Sequence, residues 1–236
     1  LIDEKLYRER PDLKFTGRTL VGNDAPKGQE FEDHYFGAIN DRVIKFMETV
    51  NEQLWQLGIY AKVEHNEVAY GQYELSSLYE DVVLAVDQNL IVMDVLKRAA
   101  RKHGLVCLLH EKPFANINGS GKHNNWSLVS NFGENCFEPG PNPSENLRFL
   151  LFVTAVIEAV DTYQNLFRYS ASNPGNDYRL GAGEAPPSII SLTMGNTVDA
   201  VLRNIVHPEI SCPTCTFDGK VNFFEDIPYD DSDRNR

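Results

Sequence analysis

The chain has 236 residues, 22 Lys+Arg against 34 Asp+Glu for a formal net charge of −12, and 42% apolar residues with 11% aromatics. That content supports a buried core and excludes a disordered chain. The acidic balance excludes a nucleic-acid backbone as the main partner, and no window approaches the ~20 apolar residues of a membrane span. Residues 1–35 are polar and turn-rich and predict one short strand near Thr19 to Val21. From Gly37 to Gln56, apolar residues at Ile39, Val43, Ile44, Phe46, Met47, Val50 and Leu54 predict a helix that Gly58 stops. Ile59 to His65 alternates as a half-buried strand does, and a second strand is expected around Gly71 to Leu75. Residues 80–103 predict a long helix, with basic residues in its last turn and Gly104 as its stop. Leu105 to His110 is an apolar run of strand length, followed by a loop of about thirty residues from Glu111 to Pro143. Ser144 is expected to cap a helix from Glu145 to about Tyr169. A polar turn region follows at Asn173 to Tyr178, then an apolar stretch at Ile189 to Met194, a short helix at Val198 to Val206 and a hairpin at Phe217 to Phe224. This mixture predicts an α+β protein, an antiparallel or mixed sheet backed by long helices.

Four cysteines are too few for a disulfide scaffold of this length. Cys212 and Cys215 have the spacing of a zinc or redox pair, but no second pair follows, and free thiols in a reducing cytoplasm are the simpler reading.

Three stretches carry chemistry. In His65-Asn66-Glu67-Val68-Ala69-Tyr70-Gly71-Gln72-Tyr73-Glu74, Glu67 ends one strand and Glu74 lies on the next. They can share a cavity as oxygen ligands for Mg²⁺ or Mn²⁺, or be two solvated surface acids. The second stretch is Lys112-Pro113 through Asn118-Gly119-Ser120-Gly121-Lys122-His123 to Ser127. A P-loop is excluded, since it needs Gly where Asn116 stands and Ser or Thr where His123 stands. Its small residues let backbone approach a small polar ligand, and His123 is either a metal ligand or a hydrogen-bonded histidine. In the third, Tyr178-Arg179-Leu180-Gly181-Ala182-Gly183-Glu184-Ala185-Pro186-Pro187, Arg179 offers a fork for a carboxylate. The glycines hinge a lid carrying Glu184, or simply form a Gly/Pro loop.

In this order, the three stretches resemble glutamine synthetase. The opening Arg10-Pro11-Asp12, Thr16-Gly17-Arg18-Thr19-Leu20 and Pro26-Lys27-Gly28-Gln29-Glu30 are most similar to its type III branch, as are Arg179-Leu180-Gly181-Ala182 and Asp233-Arg234-Asn235-Arg236. The resemblance implies ATP-dependent ligation of ammonia to L-glutamate through γ-glutamyl phosphate, with two divalent cations. Glu67 and Glu74 would hold the metal nearer glutamate and His123 the metal bridging the ATP phosphates. Asn118, Gly119 and Arg179 would bind glutamate, and Glu184 would close the site and take a proton from ammonium. His65, Tyr79 and Ser127 correspond to nucleotide-side positions, and Arg236 to an arginine on phosphate. Where the family usually has a second histidine this chain has Asn125, and Gly183 stands where the branch favours Asn.

The resemblance also implies a cytoplasmic homo-oligomer of two stacked hexameric rings. The alternative is a non-catalytic or amine-specific relative of the same fold. Because the chain opens on Leu1 and closes on Arg236, residues 1–236 are expected to be an internal piece of the catalytic domain. A Glu-x-Glu strand and an N-terminal β-grasp domain would precede it, and a Glu-Phe-Arg segment would follow. The piece alone is then expected to be inactive.

Overall fold

A computed structural model describes residues 1–22, 28–32, 34–110, 112–119, 125–171 and 195–208. They fall into two compact units, residues 1–119 in the first and 125–171 with 195–208 in the second. The expected features at Asn173–Tyr178, Ile189–Met194 and Phe217–Phe224, and the pair Cys212 and Cys215, lie outside the described residues. The architecture is α+β, and the strand pairs among the described residues are antiparallel.

The first unit opens with β1 (Ile2–Asp3), α1 (Glu4–Glu9) and α2 (Pro11–Thr16). Asp3 caps α1 by accepting from Lys5 N at 2.9 Å, and Pro11 starts α2, where its missing N–H costs nothing. The strand expected at Thr19–Val21 does not form. Side chains hold this segment in an irregular path instead: Leu20 N donates to Asp12 Oδ2 at 2.9 Å, and the Arg10 guanidinium donates to Val21 O at 2.6 Å. Thr19 N bonds Pro113 O at 2.8 Å rather than a neighbouring strand.

Helix α3 (Asp41–Gln56) begins four residues later than Gly37, because Asn40 Oδ1 accepts from Arg42 N at 2.9 Å and sets the cap. It buries Val43, Phe46, Met47, Val50 and Leu54 along one stripe. Its end is a Schellman turn. Gly58 takes φ 76°, Gly58 N donates to Trp55 O at 3.0 Å, and Ile59 N donates to Leu54 O at 2.9 Å. Leu54 and Ile59, brought together by that turn, are both buried.

Strands β2 (Ala61–Asn66) and β3 (Tyr73–Ser77) form an antiparallel hairpin. Strand β3 starts two residues after Gly71 because Gly71, at φ 77°, and Gln72 complete the turn. Helix α4 (Val82–Lys102) is capped by Asp81 and ends at Gly104, which adopts φ 62°. Of the apolar run after it, only β4 (Leu105–Val106) is strand, paired with β1. The core joins the α3 stripe and Ile59 to Val92, Val95, Ala99 and Ala100 of α4 and Leu105 of β4, with Cys107 packed against it. Burial pushes the Cys107 thiol above its usual range.

In the second unit, α5 (Leu147–Ala171) starts later than Glu145, and its first turn is capped by Asn146, not Ser144, with Phe149 N donating to Asn146 Oδ1 at 3.1 Å. The helix is interrupted at Tyr163 (φ −107°, ψ 18°). Helix α6 (Gly195–Val206) begins three residues before Val198. Phe149 and Val153 of α5 pack with Val198 of α6, joined by Phe137 and Leu202, and Cys136 is buried in this unit. No helix among the described residues is long and apolar enough to cross a membrane.

Candidate active site

The β2–β3 hairpin gathers acidic and imidazole groups on one face. Register pairs His65 with Glu74 directly across the two strands. Glu67 lies two residues beyond His65, and a strand repeats its side-chain direction every second residue. As a result His65 Nε2 stands 3.2 Å from Glu67 Oε1 and 3.5 Å from Glu74 Oε2, and one donor atom from each residue lies within 4.8 Å of the others. Side-chain exposure rises from 14% for Glu67 through 30% for His65 to 47% for Glu74, so the cluster opens outward from a sheltered carboxylate.

The hairpin is anchored from behind. Asn66 is buried and donates through Nδ2 to Gly37 O at 2.8 Å. Val68 and Ala69 of the turn are buried, and Glu67 N donates to Gln72 O at 3.0 Å. His34 Nδ1 lies 2.7 Å from Glu67 O; a carbonyl only accepts, so that nitrogen carries the proton. The Tyr35 ring meets His65 edge-on, with centroids 5.5 Å apart. On the opposite face of β2, burial raises the Glu64 carboxyl above its ordinary value, partly opposed by a hydrogen bond from Asn51.

The donor set fits a divalent cation. Two carboxylates and an imidazole from one hairpin match the oxygen and nitrogen ligands of Mn²⁺, and the carboxylates suit Mg²⁺. A small closure of the ligand atoms would bring them to coordination distance.

Against this hairpin lies the loop 112–119. Its shape is set by side chains rather than by a ladder. Lys112 Nζ donates to Ile117 O, Asn116 takes φ 61°, and Pro113 O accepts from both the amide and the hydroxyl of Thr19. Burial lowers the Lys112 ammonium below the usual lysine range. Asn118 N donates to Gln29 Oε1 at 2.6 Å, and Asn118 O accepts from Gln72 Nε2 at 3.0 Å. Asn118 and Gly119 are buried, and Asn118 Nδ2 and Gln72 Oε1 have no hydrogen-bond partner among the described residues.

The residues singled out from sequence thus fall into three groups. Glu67, Glu74 and His65 come together on the hairpin, although the resemblance puts His65 on the nucleotide side, and Asn118 and Gly119 lie on the neighbouring loop. Tyr79, past the end of β3, is 95% exposed and stands outside the cluster, while Ser127 is an exposed residue of the second unit. Arg179, Glu184, His123 and Arg236 lie outside the described residues. Gln72, Gln29 and Lys112 were assigned no role from sequence, yet they fix the loop. Gln72 was visible inside the acidic motif, whereas nothing along the chain marks Gln29 as the partner of a residue 89 positions away.

Residues 7–167 match the family model described as glutamine synthetase, catalytic domain. The chain is 52% identical to the Type-3 glutamine synthetase of Dictyostelium discoideum over 238 residues, covering 100% of this chain and 32% of that protein. It is 52% identical to a glutamine synthetase of Butyrivibrio fibrisolvens, covering 87% of this chain and 29% of that one. With a glutamine synthetase of Bacteroides fragilis (strain YCH46) it shares 46% identity, covering 100% of this chain and 33% of the relative. The chain therefore spans about a third of the length of these curated relatives.

Proposed function

The chain belongs to the glutamine synthetase family, with its type III members, and on that premise we propose that the intact protein joins ammonia to L-glutamate using ATP. The side-chain carboxylate of glutamate attacks the γ-phosphorus of ATP, giving γ-glutamyl phosphate and ADP. Ammonia then displaces phosphate to form glutamine. Glu67 and Glu74 hold a divalent cation, Mg²⁺ or Mn²⁺, and His65 adds a nitrogen ligand or orients the carboxylates. A bound cation there supplies positive charge that offsets phosphate charge in the transition state. Asn118 and Gly119 present backbone and carboxamide groups to the amino-acid end of glutamate. His123 as ligand of a second cation, Arg179 on the substrate carboxylate, Glu184 as the lid base and Tyr79, Ser127 and Arg236 on the nucleotide side complete the reading from the family resemblance.

One observation carries most weight: two carboxylates and an imidazole within 4.8 Å on a hairpin whose turn is bonded to the buried Asn118 loop. Hairpin register and ion pairing with His65 bring the carboxylates together, and the link from this turn to the buried Asn118 loop favours a ligand site over surface acids alone. We place residues 1–236 wholly within the catalytic domain, and we read the assembly as two stacked hexameric rings in the cytoplasm.

The test is γ-glutamyl hydroxamate formation by the full-length protein with Mn²⁺. Activity is expected, falling in Glu67→Gln by at least the 10–100-fold that even outer-shell metal partners cost, roughly. A folded full-length protein that makes no hydroxamate overturns the proposal.

A further inference from the structure

Gln72 occupies a position that neither the cation nor glutamate explains by itself. Its backbone belongs to the turn of the acidic hairpin: Gln72 O accepts from Glu67 N at 3.0 Å, and Gln72 N donates to Ala69 O at 3.1 Å. Its side chain belongs to the other element, with Nε2 donating to Asn118 O at 3.0 Å. Since a carbonyl can only accept, this bond fixes the amide orientation and leaves Oε1 as a buried acceptor. Asn118 Nδ2 is likewise a buried donor without a partner among the described residues. Both groups are left for something else to satisfy, and leaving them unmet is unfavourable.

We propose that Gln72 is a positioning residue that couples the two halves of this site, so that cation binding at Glu67 and Glu74 and glutamate binding at Asn118 strengthen one another. The inference rests on the functional reading above. Drawing the carboxylates in around a cation fixes Glu67 and Glu74 on either side of Gln72, and with them the turn that holds its backbone. The Nε2 bond then transmits that fixed position to Asn118, whose other anchor, Gln29, has no bond to the hairpin turn among those described. Linkage makes the effect reciprocal: whatever factor glutamate applies to cation affinity, the cation applies to glutamate affinity.

The experiment titrates Mn²⁺ into the full-length protein by calorimetry, with and without saturating glutamate, and glutamate with and without Mn²⁺. Wild type is expected to show a mutual factor on the order of tenfold. Gln72→Met, of similar length but without the donor, brings the factor to about one while Mn²⁺ affinity alone changes by less than about threefold. Gln29→Met weakens glutamate binding but keeps the factor. A factor retained in Gln72→Met, or lost equally in Gln29→Met, overturns the coupling. A second measurement needs no variant: Mn²⁺ alone should slow amide exchange across residues 112–119 in wild type, and unchanged exchange overturns the proposal. A wild type that binds Mn²⁺ through Glu67 with a factor of one overturns the coupling and leaves the functional reading standing. Mn²⁺ affinity unaltered by Glu67→Gln removes that reading and the coupling together.

Discussion

A single carboxylate does much of the organising near the start of the chain. Asp12 accepts two bonds from Arg10, at 3.0 and 2.6 Å, and a third from Leu20 N, and only 8% of its side chain is exposed. The Arg10 bonds, then the Leu20 amide, hold its carboxyl well below the ordinary aspartate range. A depressed folded value means that the unfolded chain binds the proton more tightly. The stabilisation is therefore full above the ordinary aspartate value of about 3.9 and is lost as pH falls below it. Asp12→Asn is expected to lower the melting temperature by a few degrees, about 2–5 °C, near neutral pH, with the gap closing toward about pH 2. Melting curves across that range check it, and a gap independent of pH contradicts it. Legibility at this scale was uneven. Glu67 and Glu74 stood out because their spacing and strand ends place them on one side of a hairpin. Gln29 did not, since its partner Asn118 is chosen by tertiary placement, and Asp12 did not, since an Arg two residues away is too common a neighbour to mark it.

Among the elements, those with a long apolar repeat were the readable ones. Helices α3 and α4 and the β2–β3 hairpin were found from periodicity, with boundaries displaced wherever a polar cap such as Asn40 outweighed the pattern. Helices α1 and α2, six residues each, were missed because so short a segment carries little periodicity; a cap at Asp3 and Pro11 start them. The strand expected at Thr19–Val21 failed for the related reason that Asp12, Arg10 and Pro113 claim its backbone groups. The Schellman end of α3 supplies a test at this level. Gly58 has open space around its missing Cβ, so an added methyl meets no neighbour and the cost of Gly58→Ala lies in the left-handed backbone alone. A destabilisation of about 1–2 kcal/mol is expected, smaller for Gly58→Asn, read from the urea midpoint. Equal stability of Gly58→Ala and wild type would show that the turn is not set by that residue.

At the level of the whole molecule, two units each keep their own core: α3, α4 and β4 enclose one, α5 and α6 the other. The α+β class was legible because long helices and alternating strands are both strong signals. The division into two units was not, since the Gly- and Asn-rich run around residues 116–125 reads equally well as a binding loop inside one domain. Cys107 lies against the first core and Cys136 is buried in the second. Only the thiolate reacts with alkylating reagents, and shielding by packed neighbours slows that reaction further. Cys136 is thus an internal chronometer for its own half of the protein, trapped by iodoacetamide during a transient opening, while the half-buried Cys107 reports on access at the edge of the first core. Digestion and mass analysis after timed pulses should give two separate rates, with Cys107 slowed further by its raised ionisation threshold. Loosening the first unit with Gly58→Ala should speed trapping of Cys107 and leave Cys136 unchanged; a matching rise in both would mean that the halves breathe as one body.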